Sequence, residues 1–548
     1  MEKKLKFNNI LTVKSSKYKL NFDKKKSSSN SKNQSYFHHK IKSIPIVSRC
    51  SVPQCENSDD TYYNQEWIKD VLPGSVSDTT GKFIPEQCFQ YGLKDNINET
   101  LPSENNTCLG LWFDSEVKTR CNEWIFDEHE TTIVNDWPNF LTCSENQWKL
   151  ALVGSVHFFG IMMGSGVFGV IADSYGRKKV FIVAIVFMSI TGVGQGLSNS
   201  YMMFIIFAFL NAVGTSGVYP LAFVLGVEMV GKNKREMSGV VLNYFYSFGE
   251  ALVGIIAWID NDWRNLQFWV SIPPILFIFY YWLIPESARW LLAKQRNRKA
   301  FKIIKKAAAD NNKEISQSIL DRFNPNNSND DEREKNLCDD ATNVDEEGVK
   351  VYLKLIKSRV LLIRCLILFF VWGTNAFVYY GLSLNSVNLS GNIYLNFILG
   401  CLIEIPGNTI AWIIMNKIGR KYSLVASFLL CGVTCTASAF VPEKIFGIQI
   451  FLFLVGKMAI TSSFAIVFVY SAEVMPTVIR SGGVGAFSTF SRLGALLAPF
   501  VPLLKFIFDF LPLLIFGVFA FVAGILSISL PETLGKKLPD SFEEAENI

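Results

Sequence analysis

The sequence has 548 residues, of which 49% are apolar and only 18% are charged, and phenylalanine alone contributes 45. This composition excludes an ordinary soluble protein, in which about a quarter of the residues are charged. The net charge of +5 is small and its cations cluster in short loops, so the charge indicates membrane topology rather than nucleic-acid binding.

Residues 1–47 are polar and basic, with the segments KKLK, DKKKSSSNSK and HHKIK. They contain no apolar run long enough to cross a bilayer and no central apolar stretch of the kind found in a signal peptide. We predict that residues 1–47 form a disordered start that is not homologous to a span of the second half.

The next region, residues 48–147, is polar and rich in cysteine. Its six cysteines are Cys50, Cys55, Cys88, Cys108, Cys121 and Cys143. An even, dense set of cysteines in a polar segment is typical of a disulfide framework in an oxidising compartment, although six cysteines allow fifteen pairings. Two glycosylation sequons, at Asn98 and Asn105, lie in the same region, and chance is the alternative explanation for each. We predict an extracellular, disulfide-bonded and glycosylated loop.

Apolar runs dominate the sequence from Leu150 onward, and eleven of them reach the roughly 20 residues that a membrane-spanning α-helix needs. They are 149–172, 179–197, 201–226, 237–258, 266–284, 359–383, 392–415, 422–441, 446–470, 483–505 and 508–530. No soluble core requires so many such segments. The predicted fold class is therefore an all-α polytopic membrane protein, and the lipid bilayer is a predicted partner.

The short loops between these runs differ in charge. On one side, ten Lys and Arg residues lie in GRKK at 176–179, GKNKR at 231–235, KIGRKY at 417–422, and Arg480. The opposite short loops hold only Arg264, Lys444 and Lys505. Because cytoplasmic loops carry the excess of cations, we predict that the basic side is cytoplasmic. The connection 285–358, which is partly disordered by composition, and the tail 531–548 then lie in the cytoplasm.

The two halves, residues 148–284 and 359–530, repeat each other. YGRKK and IGRKY are 243 positions apart, VEMVGKNKR and AEVMPTVIR share their Glu and Arg at an offset of 245, and PES and PET differ by 246. Three paired features at nearly one offset indicate a duplicated helical bundle. Parallel repeats with a site between them are a transporter architecture.

The repeat also predicts a span that the sequence does not show. The second half has a run at 359–383 before its GRK loop, whereas the first half has no counterpart before residue 48. We expect the full transcript to encode an apolar span of roughly 20 residues there. Residues 1–47 would then come from a different gene model or splice form, and a true eleven-span form is the alternative.

Several motifs resemble those of a known family. GVIADSYGRKK at 169–179 resembles the loop signature of the major facilitator superfamily. IPESARWLL at 284–292, YSAEVMPTVIRS at 470–481 and LPETLGKKLPDS at 530–541 resemble the organic cation, organic anion and carnitine transporter family. The resemblance covers about residues 48–546, and IEIPGNTIAW at 403–412 is closest to the carnitine and zwitterion branch.

The resemblance implies a bundle of six plus six helices that moves small organic ions across the plasma membrane by alternating access, without enzyme activity. It also implies a cytoplasmic gate in which cations compensate exposed carbonyls at helix C-termini. The gate residues are Gly169, Asp173, Gly176, Arg177, Lys178, Glu228, Arg235, Glu286, Arg289, Gly419, Arg420, Glu473 and Arg480. Ser174, Ala208 and Asn416 depart from the family pattern, in which a cation, an Arg and an Asp are usual.

Nucleotide chemistry is not predicted. GVEMVGKN at 226–233 approximates a phosphate-binding loop, but Asn233 replaces the hydroxyl residue that would hold magnesium, and no strand precedes the motif. No His and Cys spacing indicates a metal site. We therefore predict no cofactor, no metal, no nucleotide and no nucleic-acid partner, and leave sodium or a proton open as the coupling ion.

Four ionisable residues lie near the middle of predicted spans: Glu250, Glu404, Lys457 and Arg492. Charges inside a membrane are expensive and default to a functional hypothesis. By the family resemblance, Arg492 stands where cation carriers have an Asp and where anion and carnitine carriers have an Arg, which favours a substrate with an anionic group. The alternative is that Arg492 or Lys457 pairs internally with Glu404 or Glu250.

Aromatic residues complete the predicted substrate site. Trp372 and Tyr379 are seven positions apart, which places them two turns apart on one helix face. By the resemblance they match pocket positions, where they could hold an ammonium group by cation–π attraction. A buried Arg and an aromatic face favour a carnitine-like zwitterion. The alternatives are an organic-cation carrier, an organic-anion carrier, or a non-transporting receptor that uses the cysteine-rich region.

Overall fold

The structure is a computed structural model, and the part of the chain that it describes lies within one compact unit. It describes residues 48–53, 55–56, 63, 67–76, 83–94, 112–126, 131–230, 235–294, 296–312, 355, 357–389, 391–442, 445–476, 479–536, 538–539 and 542–546. Predictions for residues 1–47, for the sequons at Asn98 and Asn105, and for Cys108 lie outside these residues.

The cysteine-rich region, residues 48–146, contains short antiparallel strand pairs. β1 pairs with β6, β2 with β3, and β4 with β5. The strands are β1 Ser48–Cys50, β2 Gly74–Val76, β3 Phe83–Pro85, β4 Phe89–Leu93, β5 Phe113–Arg120 and β6 Trp124–Phe126. Such small sheets have little core of their own, and cross-links compensate for that. Disulfides join Cys50 to Cys121 and Cys88 to Cys143, and Cys55 is disulfide-bonded as well.

The remaining described residues are mostly helical. The short helices of the cysteine-rich region are α1 Ile68–Val71, α2 Ile133–Asp136 and α3 Pro138–Leu141. The first half consists of α4 Gln147–Tyr175, α5 Arg177–Gly196, α6 Tyr201–Met229, α7 Arg235–Ile259, α8 Trp263–Ser271 and α9 Tyr280–Leu283. The connection to the second half contains α10 Ala288–Ala293 and α11 Asn297–Asp310. The second half and tail consist of α12 Arg359–Asn385, α13 Ile393–Leu402, α14 Glu404–Lys417, α15 Arg420–Ala439, α16 Phe446–Val474, α17 Arg480–Leu497, α18 Leu511–Ser527 and α19 Phe542–Glu546.

The helices agree with the predicted spans. Within the described residues, ten are long and apolar enough to cross a membrane, and α18 is a shorter apolar helix of 17 residues inside the eleventh predicted run. Three spans are interrupted. Pro273 begins a 3₁₀ segment between α8 and α9, Ile403 separates α13 from α14, and Ala498–Phe506 continues α17 as a 3₁₀ helix. Proline explains the first and third breaks because it removes a backbone donor.

The second half has the larger buried core. Its centre is α12, which packs against α16, α17 and α18 and buries Leu368, Val371 and Trp372. By the repeat, α7 of the first half matches α17 of the second, and α7 is the more open of the two: 17% of its apolar window is buried, against 33% for that of α17. The difference follows the repeat, because the described part of the first half has no helix in the place that α12 takes in the second.

Aromatic packing and polar contacts join the cysteine-rich region to the first half. Trp137 packs against Phe204 and Trp263, with ring centroids 5.6 and 5.9 Å apart. Arg264 at the start of α8 lies 3.1 Å from the Asp136 carboxylate. These contacts fix the region on the ends of α6 and α8.

The two halves are in contact in the middle of the bundle and near one of its ends. We call the end that carries residues 48–146 the cysteine-rich end, and the end that carries the Gly176 and Gly419 loops the basic end. Near the cysteine-rich end, Ser155 of α4 donates to the carbonyl of Leu496 at 2.8 Å, and Trp258 of α7 stacks on Tyr394, with centroids 6.5 Å apart.

Toward the basic end the same helices leave space. A Cβ added at Gly166 or Gly169 of α4, or at Gly485 of α17, would meet no atom within 4 Å. The surfaces of α4 and α17 near the basic end are therefore uncovered, while their other ends are in contact.

Candidate transport site and gate

Each half contains a tight glycine turn beside a glutamate. Gly176 lies between α4 and α5 with φ +108°, and Gly419 lies between α14 and α15 with φ +112°. A Cβ at Gly176 would lie 2.6 Å from Glu286 Oε2, and one at Gly419 would lie 2.5 Å from Glu532 Oε2. Only glycine combines this backbone conformation with so close an approach.

The two glutamates accept backbone N–H groups at the start of the next helix. Glu286 accepts from Lys178 N at 3.0 Å, and Glu532 accepts from Arg420 N at 2.9 Å and from Lys421 N at 3.1 Å. Burial alone would raise the pKa of the Glu532 carboxyl, but these donors, with two from the following turn, bring the pKa below its ordinary value. A carboxylate at a helix N-terminus is thus stabilised in both halves.

Ion pairs add a second repeated layer. Arg177 pairs with Glu228, and Arg420 Nε pairs with Glu473 at 3.1 Å. In the second half, Thr533 Oγ1 donates to the same Glu473 carboxylate at 2.6 Å. In the first half, Ser287 donates to Glu228 in the same way. The structure therefore brings together the gate residues that the repeat pairs by sequence.

The other predicted gate residues take different positions. Asp173 is exposed, and its main-chain carbonyl accepts from the Trp290 indole at 2.9 Å. Arg289 is exposed. Arg480 does not pair with Glu473 but donates to the carbonyls of Met475 and Pro539. The backbone of Arg235 begins α7, and its side chain lies outside the described residues.

In the middle of the bundle, Lys457 of α16 pairs with Glu404 at the start of α14. Their N and O atoms are 3.0 Å apart and both side chains are buried. Lys457 Nζ also donates to Ser383 Oγ at 2.6 Å, and Ser247 of α7 donates to Glu404 Oε2 at 3.1 Å. The internal pairing that the sequence left as an alternative is therefore what the structure has for Lys457.

The predicted aromatic face differs from the expectation. The Trp372 side chain is completely buried, and its indole donates to Ser471 Oγ at 2.8 Å. The Tyr379 ring is already covered by Lys457 Nζ, 3.5 Å from the ring centroid. Neither ring is free to hold a ligand cation in this structure, because one is inside the α12 core and the other carries a cation of the protein.

Glu250 of α7 lies on a cavity beside the Lys457–Glu404 pair. The wall of the cavity also includes Ser383 and Cys401. The volume open to the centre of a water molecule is about 40 Å³. Glu250 is close enough to Glu404 and Lys457 to interact electrostatically, and Tyr246, one helical turn before it on α7, lies beside it. In the described part of the chain, no Lys or Arg is recorded within 4 Å of the Glu250 carboxylate.

Arg492 of α17 has no carboxylate partner among the described residues. Its guanidinium donates to Ser488 O at 2.9 Å, and to the hydroxyls of Ser488 and Ser491 at 3.2 Å each. Tyr380 of the second half lies close enough to Arg492 to interact with its charge. Among the described residues, Arg492 is therefore a half-buried cation without a counter-ion.

Three tyrosines that the sequence analysis did not select face the space between the halves. Tyr219 and Tyr246 are 42% and 41% exposed, with ring centroids 5.5 Å apart. Both interact electrostatically with Tyr380 of the second half, which in turn interacts with Arg492 and Glu250. No sequence motif identifies them, although Tyr246 is one helical turn from Glu250 and Tyr380 is adjacent to Tyr379. Among the described residues, no group of His, Cys, Asp and Glu could hold a metal ion.

Comparison with known proteins identifies the family. The sugar (and other) transporter family matches residues 98–545. The organic cation transporter protein of Drosophila melanogaster is 36% identical over 467 residues, which are 84% of this chain and 82% of that protein. Human organic cation/carnitine transporter 2 is 32% identical over 509 residues, 90% of this chain and 85% of that protein. The chain belongs to the organic cation and carnitine transporter family of the major facilitator superfamily.

A solved structure gives the same fold. The xylose transporter XylE from E. coli, in a structure described as inward open, superposes with a TM-score of 0.56 and 18% sequence identity over 75% of this chain and 91% of that chain. The predicted fold class and family are thus confirmed. Like its relatives, this member of the organic cation and carnitine transporter family is a multi-pass membrane transporter and not an enzyme.

Proposed function

We propose that the protein is a plasma-membrane secondary transporter of small, carnitine-like zwitterions that works by alternating access. The observation that carries the proposal is a pair of opposite charges without partners. Arg492 has no carboxylate beside it and Glu250 has no Lys or Arg beside it among the described residues, and Tyr380 interacts with both.

The charge on Arg492 needs a partner because a guanidinium stays protonated at any physiological pH. A substrate carboxylate supplies that partner and adds a charge-assisted hydrogen bond. On the opposite side, Tyr246 presents an exposed ring beside the Glu250 carboxylate, and the exposed ring of Tyr219 packs against Tyr246. Aromatic rings and a carboxylate are the groups that hold an ammonium. A ligand with separated positive and negative groups satisfies both sides at once.

The packing of the two halves supports alternating access. Contacts near the cysteine-rich end, such as Ser155 with Leu496, close one side of the site, and the open surface at Gly169 and Gly485 leaves the other side accessible. The repeated glycine turns at Gly176 and Gly419 anchor each half separately. Two repeated halves can rock about the site between them.

The experiment measures uptake of a labelled zwitterion and of a plain quaternary cation, normalised to surface protein, for Arg492→Ala, Arg492→Asp and Arg492→Lys. Loss of a charge-assisted bond of about 1.5–3 kcal/mol should weaken zwitterion affinity about tenfold to a hundredfold in Arg492→Ala. Arg492→Asp should shift the preference towards the plain cation. Arg492→Lys is the matched control, and it should retain the preference for the zwitterion.

An unchanged ratio of zwitterion to cation uptake in all three variants would contradict the substrate assignment. Preference for a plain cation or a plain anion in the wild-type protein would indicate one of the other carrier types. If membrane vesicles that contain the protein accumulate none of these compounds, the receptor alternative is favoured.

A further inference from the structure

The cavity beside Lys457 contains more negative than positive groups. Glu250 and Glu404 both line it, and among the described residues Lys457 is the one cation on its wall. Lys457 Nζ already pairs with Glu404 at 3.0 Å, donates to Ser383 and lies over the Tyr379 ring. When both carboxyls are ionised the described wall carries one uncompensated negative charge, and burying such a charge is unfavourable.

The two carboxylates of the cavity differ in how their charge is compensated. Glu404 is 2% exposed and both of its oxygens have partners: Oε1 lies 3.0 Å from Lys457 Nζ, and Oε2 accepts from Ser247 at 3.1 Å. Among the described residues, no Lys or Arg lies within 4 Å of the Glu250 carboxylate. A proton on Glu250 therefore removes the excess charge and leaves the Lys457–Glu404 pair intact.

The groups that face Glu250 come from each element around it. They are Tyr246 of its own helix, Tyr379 and Tyr380 of α12, Cys401 of α13, Glu404 of α14 and Lys457 of α16. A metal cation in this cavity would lie beside the Lys457 ammonium and would need several oxygen ligands. A proton needs only one oxygen, and a cavity of about 40 Å³ leaves room for little more than one or two water molecules.

We infer that Glu250 binds a proton and the ammonium group of the substrate alternately, so that the carrier exchanges an organic ion for a proton. This inference rests on the proposed function. When the ammonium enters between Tyr219, Tyr246 and Tyr380, the Glu250 carboxylic acid loses its proton to water and its carboxylate pairs with the ammonium. When the ammonium leaves, Glu250 takes up one proton again. One carboxyl cannot hold both, so the two cations move in opposite directions.

The test uses the full chain in sealed proteoliposomes with a pH-sensitive dye inside and a carnitine-like zwitterion as probe. In the wild-type protein, zwitterion entry should be accompanied by proton exit, and an acidic interior should accelerate entry severalfold. In Glu250→Gln the proton movement and the response to the pH gradient should disappear. Exchange of labelled for unlabelled zwitterion at saturating concentration should persist, with a higher KM. Asp509→Asn, an exposed acid at the cysteine-rich end, is the matched control and should retain proton movement.

The outcomes separate the two proposals. If the wild-type protein exchanges the zwitterion but moves no proton, the inference is wrong and the transport function stands. If it exchanges neither, the proposed function fails first. Proton movement that persists in Glu250→Gln, or that disappears only in Glu404→Gln, would overturn the assignment to Glu250.

Discussion

At the scale of single residues, the glycine turns are the most constrained positions in the protein. Gly176 and Gly419 have φ values of +108° and +112°, which a residue with a Cβ rarely adopts. In each turn the place of the missing Cβ is taken by a carboxylate oxygen, of Glu286 or Glu532. Backbone strain and steric overlap therefore act at the same position.

Replacing either glycine by alanine should destabilise the protein. Adverse backbone conformation alone costs about 1–2 kcal/mol, and displacement of the glutamate adds to that because several N–H donors lose their acceptor. We expect Gly176→Ala and Gly419→Ala each to lower the thermal midpoint of the detergent-solubilised protein. Gly447→Ala is the control, because a Cβ there meets no atom within 4 Å inside α16. Equal midpoints for all three variants would contradict the role of the turns.

These turns were predictable from the sequence, whereas the pairing of charges inside the bundle was not. The repeat predicts that Gly176 and Gly419 have the same role, because both halves contain the same motif. The partner of Lys457 lies 53 positions away on another helix, and no motif connects the two. The burial of Trp372 could not be predicted from the sequence either. Membrane helices are apolar on all sides, so hydrophobic periodicity does not indicate which face points inward.

At the scale of helices, α4 and α17 are in contact at one end and apart at the other. Gly154 lies against Pro499, with only 2.9 Å between a Cβ added at Gly154 and the Pro499 ring. At the basic end, a Cβ at Gly485 would meet no atom within 4 Å. Glycine is needed at Gly154 by the present packing, whereas nothing in the present packing requires it at Gly485.

Leucine substitutions should therefore have opposite effects at the two ends. Gly154→Leu should lower the thermal midpoint, because it forces α4 away from α17. Gly485→Leu should leave the midpoint unchanged but slow zwitterion uptake, since closure of the basic end requires close approach of the helices there. Gly447→Leu serves as the control for adding an apolar side chain. If Gly485→Leu transports at the wild-type rate, the basic end does not close at this surface.

At the scale of the whole molecule, the cysteine-rich region is a separately cross-linked layer on one end of the bundle. Cys50–Cys121 closes the strand layer on itself. Cys88–Cys143 reaches the residues just before α4 across 55 positions. The sequence predicted that the cysteines are cross-linked, but spacing alone could not select among the pairings because contacts between strands decide which sulfur atoms meet.

Removing the second cross-link should loosen the attachment of this layer. Closing a loop of this length stabilises a folded chain by about 4 kcal/mol in the chain-entropy model. We expect the double variant Cys88→Ser with Cys143→Ser to unfold at a lower temperature and to reach the cell surface in smaller amounts. Mass spectrometry of the wild-type protein should recover the peptides of Cys88 and Cys143 joined. Free thiols at both positions in surface protein would contradict the pairing.

The attachment of the cysteine-rich region has a mechanical consequence. Its described hydrogen bonds and ring contacts with the bundle, through Trp137 and Asp136, go to helices of the first half. If the halves rotate against each other as proposed, the region moves as part of the first half. A protein that binds this region alone would rotate with it and would not block the transport cycle. A binder that also contacts the second half would hold the two halves in one relative orientation and stop turnover without approaching the substrate.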